Sequence, residues 1–402
     1  MARLLVVTSR LPYPPREGHQ LRSWHLLKAL ASRHEVSLLS CLRGDDDLAL
    51  AGPLREMLVR LETFPIAATR SPAAIARVLA RSALAREPFV VEKYASPALR
   101  ERIATLANDA DMVHFDMLPL MAYAGAVRAG IPIVYNAHNV EHVLLEGRAQ
   151  VESAPWRRLF LRGQRARLRA FERAACARAD LVLACSEADA GTLRALAPDS
   201  VVQVVPNGVD LEVNRPSTSS GRGGGRLVFV GQMEWFPNRD GVEWFLAEVF
   251  PRILATRPDA GFVLVGKPSG LRVPANVAAR VALAGFVPDL RPLVHDAAVY
   301  VVPLRIGSGT RLKVLEAMAL GKPIVTTHVG SEGILLRHDE SALYADDADD
   351  FAAATLDLLA HPERASRLGK AARACAEAHY GWDAIGRGLL DSCNTLLGHR
   401  AS

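Results

Sequence analysis

Short apolar runs alternate with longer amphipathic stretches along most of the chain. That is the pattern of buried parallel strands joined by helices. In the first half, Arg3 to Ser9, Glu35 to Ser40, Asp111 to Phe115, Ile131 to Tyr135, Leu181 to Cys185 and Val201 to Val205 read as strands. His19 to Ser32 reads as a helix with Leu21, Trp24, Leu27 and Leu30 on one face. Residues 45–110 are less regular: an acidic run, Asp45 to Asp47, then amphipathic helices and a strand near Leu61 to Pro65. In the second half, Leu227 to Gly231, Gly261 to Gly266, Val281 to Gly285, Val299 to Pro303 and Pro323 to Thr327 read as strands at βαβ spacing, and Asp349 to Ala360, Glu363 to Ala378 and Trp382 to Leu397 as helices. Asn214 to Arg226 (NRPSTSSGRGGGR) is a Gly/Ser/Arg segment with the composition of a linker. The pattern predicts an α/β protein with two Rossmann-like domains, 1–210 and 227–380, a flexible linker over 211–226, and a last helix over 381–402.

Composition narrows this picture. Half of the 402 residues are hydrophobic and only 6% aromatic, as in proteins with buried parallel sheets. The five cysteines (41, 176, 185, 375, 393) are scattered, with no C-x-x-C pair, and read as small core residues of a reducing compartment. Leu4 to Val7 is too short for a leader's apolar core, and the longest apolar run, around Met117 to Val127, is well under the roughly 20 residues of a membrane span. The expectation is a cytoplasmic protein, soluble or peripheral at the inner face of a membrane. Charge is uneven: residues 1–205 carry 27 Lys/Arg against 21 Asp/Glu, and residues 206–402 carry 21 against 22. The basic excess favours an anionic partner for the first half, but no stacking-aromatic pattern points to nucleic acid.

The richest chemistry lies in Val301 to Thr327 (VVPLRIGSGTRLKVLEAMALGKPIVTT). A strand end, a turn through Gly307 and Gly309, and a helix from about Thr310 to Leu320 together make an anion site, because free backbone N–H groups and the positive helix end meet there. Thr310 has the chemistry of an N-cap, and Gly321 stops the helix. Lys313 and Glu316, three apart, share a helix face, so a cation and a carboxylate are offered together to a diphosphate and a sugar hydroxyl.

This stretch resembles the C-terminal signature of the retaining GT-B glycosyltransferases of family 4, in which a Glu on this helix binds the ribose of a nucleotide-sugar. Glu316-Ala317-Met318-Ala319-x-Gly321-x-Pro323 matches the family pattern E-A-M-A-x-G-x-P. The family's second Glu, eight residues earlier, is Ser308 here, as in a subgroup with G-S-G-T-R-x-K-x-x-E-A found in bacterial polysaccharide and exosortase-associated clusters. The run Arg10 to Leu26, R-x-P-Y-P-P-x-x-G-x-x-x-R-x-x-x-L, is similar to the exosortase-associated sugar transferases. The resemblance implies two Rossmann-like domains facing across a cleft, the first on the acceptor side and the second binding the donor, with the last helix crossing back to the first. It implies donor contacts at Gly18, Gln232, Asn238, Phe286, Val287, Ser308, Gly309, Thr310, Arg311, Leu312, Lys313 and Glu316. Gly18 stands alone where the family usually has two glycines. Gln232 and Asn238 stand where the family usually has an Arg and a Lys that stabilise the departing diphosphate. Lys313 and Arg311, with Arg305 and Arg239 behind them, are the nearest replacement cations.

Three further features remain. Asn136-Ala137-His138-Asn139-Val140-Glu141-His142 follows a strand. H-N-V-E-H fits the H-x-x-E-H zinc pattern literally, but it comes straight off a strand rather than on a helix. The resemblance instead places His138 near the transferred sugar. Arg158, Arg162, Arg165, Arg169 and Arg173 form one stripe on a helix, either a solvated face or a contact for a membrane surface or acidic acceptor. Arg16 and Arg22 are either anion contacts or solvated charges. The function that follows is retaining transfer of a sugar from a UDP- or GDP-sugar to a glycan or lipid-linked acceptor in surface or exopolysaccharide biosynthesis. No D-x-D motif is placed to hold a metal, so metal independence is expected, and no other cofactor. The alternatives are a sugar-nucleotide epimerase of the same fold and a non-catalytic nucleotide-sugar-binding protein.

Overall fold

The computed structural model describes residues 1–15, 17–42, 46–66, 71–85, 87–152, 154–217, 224–307 and 311–398. The chain divides into two compact units, Met1–Pro206 with Asp383–Ser402, and Asn207–Trp382.

The first unit holds seven strands: β1 (Arg3–Thr8), β2 (Glu35–Leu42), β3 (Arg60–Pro65), β4 (Met112–Asp116), β5 (Ile133–Asn136), β6 (Leu181–Ala184) and β7 (Val202–Val204). They pair in parallel in the order β3-β2-β1-β4-β5-β6-β7. Val6 stands between Leu38 and His114 in register. Leu4, Leu5, Val6 and Val7 are all buried, which is why β1 reads as an unbroken apolar run: helices cover both faces of a parallel sheet. The strand order reverses between β1 and β4, and open α/β sheets bind ligands at the carboxyl ends of the strands beside such a reversal.

Two helices between β5 and β6, Glu141–Val151 and Pro155–Arg178, are locked together by one buried carboxylate. Val140, at the N-cap of the first, offers no side-chain cap. Glu172 of the second, fully buried, accepts hydrogen bonds from Glu141 N (2.9 Å), His142 N (3.3 Å) and His142 Nδ1 (2.6 Å). A negative charge therefore sits on the positive end of the first helix. The final helix, Trp382–Gly398, packs on the first unit at Gly386, where an added Cβ would lie 2.9 Å from the Ala29 methyl.

The second unit holds β8 (Arg226–Val230), β9 (Gly261–Val265), β10 (Val281–Gly285), β11 (Val299–Val302), β12 (Ile324–Thr326) and β13 (Leu343–Tyr344), parallel, in the order β10-β9-β8-β11-β12-β13. Its core includes Phe229 and a group of rings in which Phe245 lies 5.1 Å from Phe262 and 5.8 Å from Phe250. The start of the expected linker, 211–226, is fastened to this unit: Arg373 donates to the carbonyls of Leu211 and Asn214, and Arg291 to that of Val213. Residues 218–223 of that segment lie outside the described residues.

The helix expected from Thr310 runs Leu312–Ala319, with Arg311 at the N-cap position in extended backbone and no side-chain cap. Thr310 lies outside the described residues. Gly321 follows at φ +65°, the left-handed conformation that ends a helix. Among the described residues, no helix is long and apolar enough to cross a membrane.

Candidate active site

The second unit gathers its polar groups where β8 and β11 end. Gly231 closes β8, and a Cβ there would lie 2.7 Å from Asn238 Nδ2, 2.8 Å from Lys313 Nζ and 2.9 Å from the Phe229 ring. Only glycine allows these side chains to close over the strand end. Lys313 Nζ donates to Asn238 Oδ1 at 2.5 Å and lies 4.3 Å from the centre of the Phe229 ring. Asn238 Nδ2 in turn donates to the Gln232 carbonyl at 2.9 Å. Where the family resemblance leads one to expect a cation, Asn238 holds one supplied from the 312–319 helix. Gly266 (φ +131°) completes the floor, since a Cβ on it would lie 2.2 Å from the Gly231 oxygen.

Burial pushes the Lys313 ammonium down to about 7, the Arg311 charge pushes the same way, and Glu316 only partly opposes them. Burial pushes the Glu316 carboxyl up to about 7 against the pull of Lys313. The two groups share one helical turn, and neither meets enough opposite charge to restore its ordinary ionisation.

Arg311 is turned elsewhere. It is buried, donates to the Val329 carbonyl at 3.0 Å, and lies 3.7 Å from the Glu332 carboxylate. Gly307 makes room for its guanidinium, which would lie 2.6 Å from a Cβ there. Leu312 is half-buried at the helix start. Phe286, largely exposed, and Val287 follow Gly285 at the end of β10, on the same sheet edge but two strands from β8. Arg305 pairs with Asp240 through Nε and Nη2 at 3.0 and 2.7 Å. Ser308, Gly309 and Thr310 lie outside the described residues.

The first unit builds a separate cluster at the ends of β4 and β5. Asp116 Oδ1 accepts from Asn136 Nδ2 at 2.6 Å and pairs with His138 Nε2 at 2.7 Å, while Oδ2 accepts from Ser23 Oγ at 2.5 Å. Burial alone would raise the Asp116 carboxyl. The charge and hydrogen bond of His138, with His114 and Ser23, hold it well below the usual carboxylate range. Met117, next along the chain, sits at φ +98°, a strained conformation for a side-chain-bearing residue and a mark of an over-determined site.

Arg22 is a correction to its reading as an anion contact or a solvated charge. It is 1% exposed and donates to Asn136 Oδ1 and to the carbonyls of Val205 and Pro206, so it braces the cluster. Gly18 opens the Gly18–Ala31 helix, whose N-terminus already holds the Glu17 carboxylate in a capping box with Gln20. Arg16 lies outside the described residues. The two histidines of H-N-V-E-H part company: His138 pairs with Asp116, and His142 with Glu172. The sequence reading missed Asp116, Asn136 and Ser23. The available signal was the polar residue that directly follows each apolar strand at 116 and 136.

A profile described as "Glycosyl transferases group 1" matches residues 224–361, and one described as "Glycosyltransferase Family 4" matches residues 17–213. Together they cover most of the chain. A D-inositol 3-phosphate glycosyltransferase of Nocardiopsis dassonvillei is 28% identical over 74% of this chain and 74% of its own length. A UDP-Gal:alpha-D-GlcNAc-diphosphoundecaprenol alpha-1,3-galactosyltransferase of Escherichia coli is 25% identical over 34% of this chain and 39% of its own. Several of the curated relatives are matched over only 34% to 42% of their own length. Among solved structures, Anabaena HepE in complex with UDP superposes with a TM-score of 0.69 at 16% identity, covering 98% of this chain and 100% of that one.

Proposed function

We propose that this chain, which belongs to glycosyltransferase family 4 and has the GT-B fold of two Rossmann-like domains, transfers a sugar from a nucleotide-diphosphate sugar to a glycan or lipid-linked acceptor with retention of configuration. One observation carries the reading: Lys313 closes over the Gly231 end of β8 and shares a helical turn with Glu316, and burial pushes each group to about 7. A donor supplies what both lack. Its diphosphate restores the charge on Lys313, and its ribose hydroxyls donate to Glu316. The bond from the sugar's anomeric carbon to the diphosphate breaks as charge gathers on the leaving oxygens, where Lys313 is worth most. The acceptor oxygen attacks from the same face and gives its proton to the diphosphate. No protein nucleophile and no metal take part. His138, oriented by Asp116, binds a hydroxyl of the transferred sugar. The arginine stripe at 158, 162, 165, 169 and 173 favours an anionic acceptor or surface. UDP bound to HepE and the lipid-linked sugar in the Escherichia coli relative's name support UDP donors and a polyprenyl-diphosphate acceptor in surface-polysaccharide synthesis.

The test is nucleotide release from a panel of UDP-, GDP- and ADP-sugars, with and without a lipid extract and with and without EDTA, beside Glu316→Ala. Release from one donor, raised by the extract, indifferent to EDTA and lost in Glu316→Ala, is the expected result. Release without any acceptor would replace this reading with an epimerase. Tight donor binding with no turnover under any condition would replace it with a binding protein, for which uncharged Gln232 and Asn238 give the motive.

A further inference from the structure

The 155–178 helix shows more than an arginine stripe. Its buried side is Leu168, Glu172, Ala175 and Cys176. On its outer side Trp156, Leu159 and Phe160 are 69%, 73% and 46% exposed. Spaced i, i+3 and i+4, they lie together at one end of the helix. The outer side continues through exposed Gly163, Ala166 and Ala170, and Arg162, Arg169 and Arg173 run along one margin of that apolar strip. The helix has a single acidic residue, Glu172, and it is fully buried.

A second helix of the same unit, Pro72–Ala85, adjoins this one. Arg167 donates to the Ser82 carbonyl at 3.0 Å, and Gln164 accepts from Phe89 N at 2.9 Å. It too shows apolar side chains to solvent, with Ile75, Leu79 and Leu84 at 43%, 39% and 85%, and it contains no acidic residue. Some arginines here are spent: Arg165 pairs with Glu146, and Arg81 with Glu92. Among the described residues, no carboxylate pairs with Arg77, Arg157, Arg162, Arg169 or Arg173.

From these two helices we infer that the first unit docks on an anionic lipid surface, with Trp156, Leu159 and Phe160 entering the headgroup boundary and Arg162, Arg169 and Arg173 lying on the lipid phosphates. Charge complementarity selects this occupant. Large apolar side chains beside unpaired arginines, on helices with no exposed acid, match the composition of an interfacial helix, whose binding combines apolar burial with attraction to negative lipid. Arginine also forms two-pronged hydrogen bonds to phosphate. The surface rests on the transferase reading only for its purpose, which is to bring the enzyme to a lipid-carried acceptor. The physical contact stands on the helices alone.

The experiment is vesicle flotation of the full chain with bilayers of phosphatidylcholine alone or with about 30% phosphatidylglycerol, at low and high salt, reading Trp156 emission by difference against Trp156→Phe. The expected result is binding to the anionic vesicles only, a blue shift that disappears in Trp156→Phe, and release by salt. Leu159→Ser/Phe160→Ser and Arg162→Glu/Arg169→Glu/Arg173→Glu should each weaken binding by at least about tenfold. Leu159→Ser/Phe160→Ser alters exposed positions outside the proposed site, so it should keep wild-type nucleotide release in a soluble donor assay. Wild type left in solution with anionic vesicles overturns the inference, as does equal binding by both variants. A self-associated wild type that turns monomeric in Leu159→Ser/Phe160→Ser and ignores vesicles assigns the face to a second copy and overturns it too. Vesicle binding without any donor turnover keeps the surface and sinks the transferase reading instead, so the two fail separately.

Discussion

Each unit holds a carboxylate at the carboxyl edge of a parallel sheet, buried at Asp116 and half-buried at Glu316, and the two end in opposite states. Asp116 is held well below the usual carboxylate range, whereas Glu316 is raised to about 7. Burial pushes both upward, so the difference lies in what each meets. The chain itself supplies Asp116 with Ser23, Asn136 and His138. Among the described residues, no side chain donates a hydrogen bond to Glu316, and only the charge of Lys313 opposes its desolvation. The chain itself satisfies the first cluster, and on the proposed reading a donor completes the second. The first should therefore answer to stability measurements as well as to sugar binding through His138, and the second chiefly to activity.

The hardest test of this contrast is Asp116→Asn. It removes the charge that pairs with His138 inside a buried cluster, a loss that typically costs about 3–5 kcal/mol. Denaturant unfolding should show that loss in the transition of the first unit. A loss under about 1 kcal/mol would mean that the cluster is not held by this carboxylate.

Lys313→Met is the counterpart. It deletes the cation and keeps an apolar stem, so kcat/KM should fall about 100- to 1000-fold, the usual cost of removing a group that meets transition-state charge. The melting temperature should stay level or rise, because a cation that pays a burial penalty has gone. Turnover within threefold of wild type would show that the cation facing the diphosphate is another one.

The sequence made the completed cluster harder to see than the incomplete one. The strands were legible because both faces of each sheet are covered, which leaves unbroken apolar runs such as Leu4 to Val7. Lys313 and Glu316 were legible because helical spacing brings them together within four residues. Asp116, Asn136 and Ser23 come from two strand ends and a helix up to 113 positions apart, and only the order of β1, β4 and β5 in the sheet joins them. Arg22 read as an anion contact or a solvated charge because its partners, Asn136 Oδ1 and the carbonyls of Val205 and Pro206, lie 114 to 184 positions along the chain. Conversely, the outward Trp156, Leu159 and Phe160 could be told from core residues only once Leu168 and Glu172 showed which side of their helix is buried.

The same contrast has a pH signature of smaller size. Glu316 sits at about 7 when folded against an ordinary 4.5. Between those values the folded chain keeps a proton that the unfolded chain has released, so its contribution to stability falls as pH rises. Lys313 sits at about 7 against an ordinary 10.5, so from there upward the unfolded chain holds the extra proton and stability rises with pH. The two limbs meet in a minimum near pH 7 for the second unit. Glu316→Gln should flatten only the acid limb and Lys313→Met only the alkaline one, read as urea midpoints across pH 4.5 to 10.5. Asp116 works the other way: its depressed value gives stability that is whole above the ordinary 3.8 and drains away as pH falls below it. Unchanged slopes in both variants would mean that solvent reaches these groups freely.

The smallest effect belongs to Arg305→Ala, and it shows whether being already partnered is what removes a cation from the chemistry. Arg305 lies in the second unit just after β11, close in sequence to Lys313, and was among the replacement cations considered on sequence grounds. Its guanidinium is bound through two nitrogens to Asp240, and its side chain is 45% exposed. The guanidinium is the exposed side of a pair whose Asp240 is 14% exposed, so losing it should cost about 1 kcal/mol, a small shift of the unfolding midpoint. Turnover should stay within about twofold, because a guanidinium that swings to a diphosphate must first leave Asp240 with no partner to replace it. If kcat/KM instead falls tenfold or more with the donor KM unchanged, Arg305 leaves Asp240 during the reaction. The second unit would then hold two cations for the leaving group, and Lys313→Met alone would understate its share.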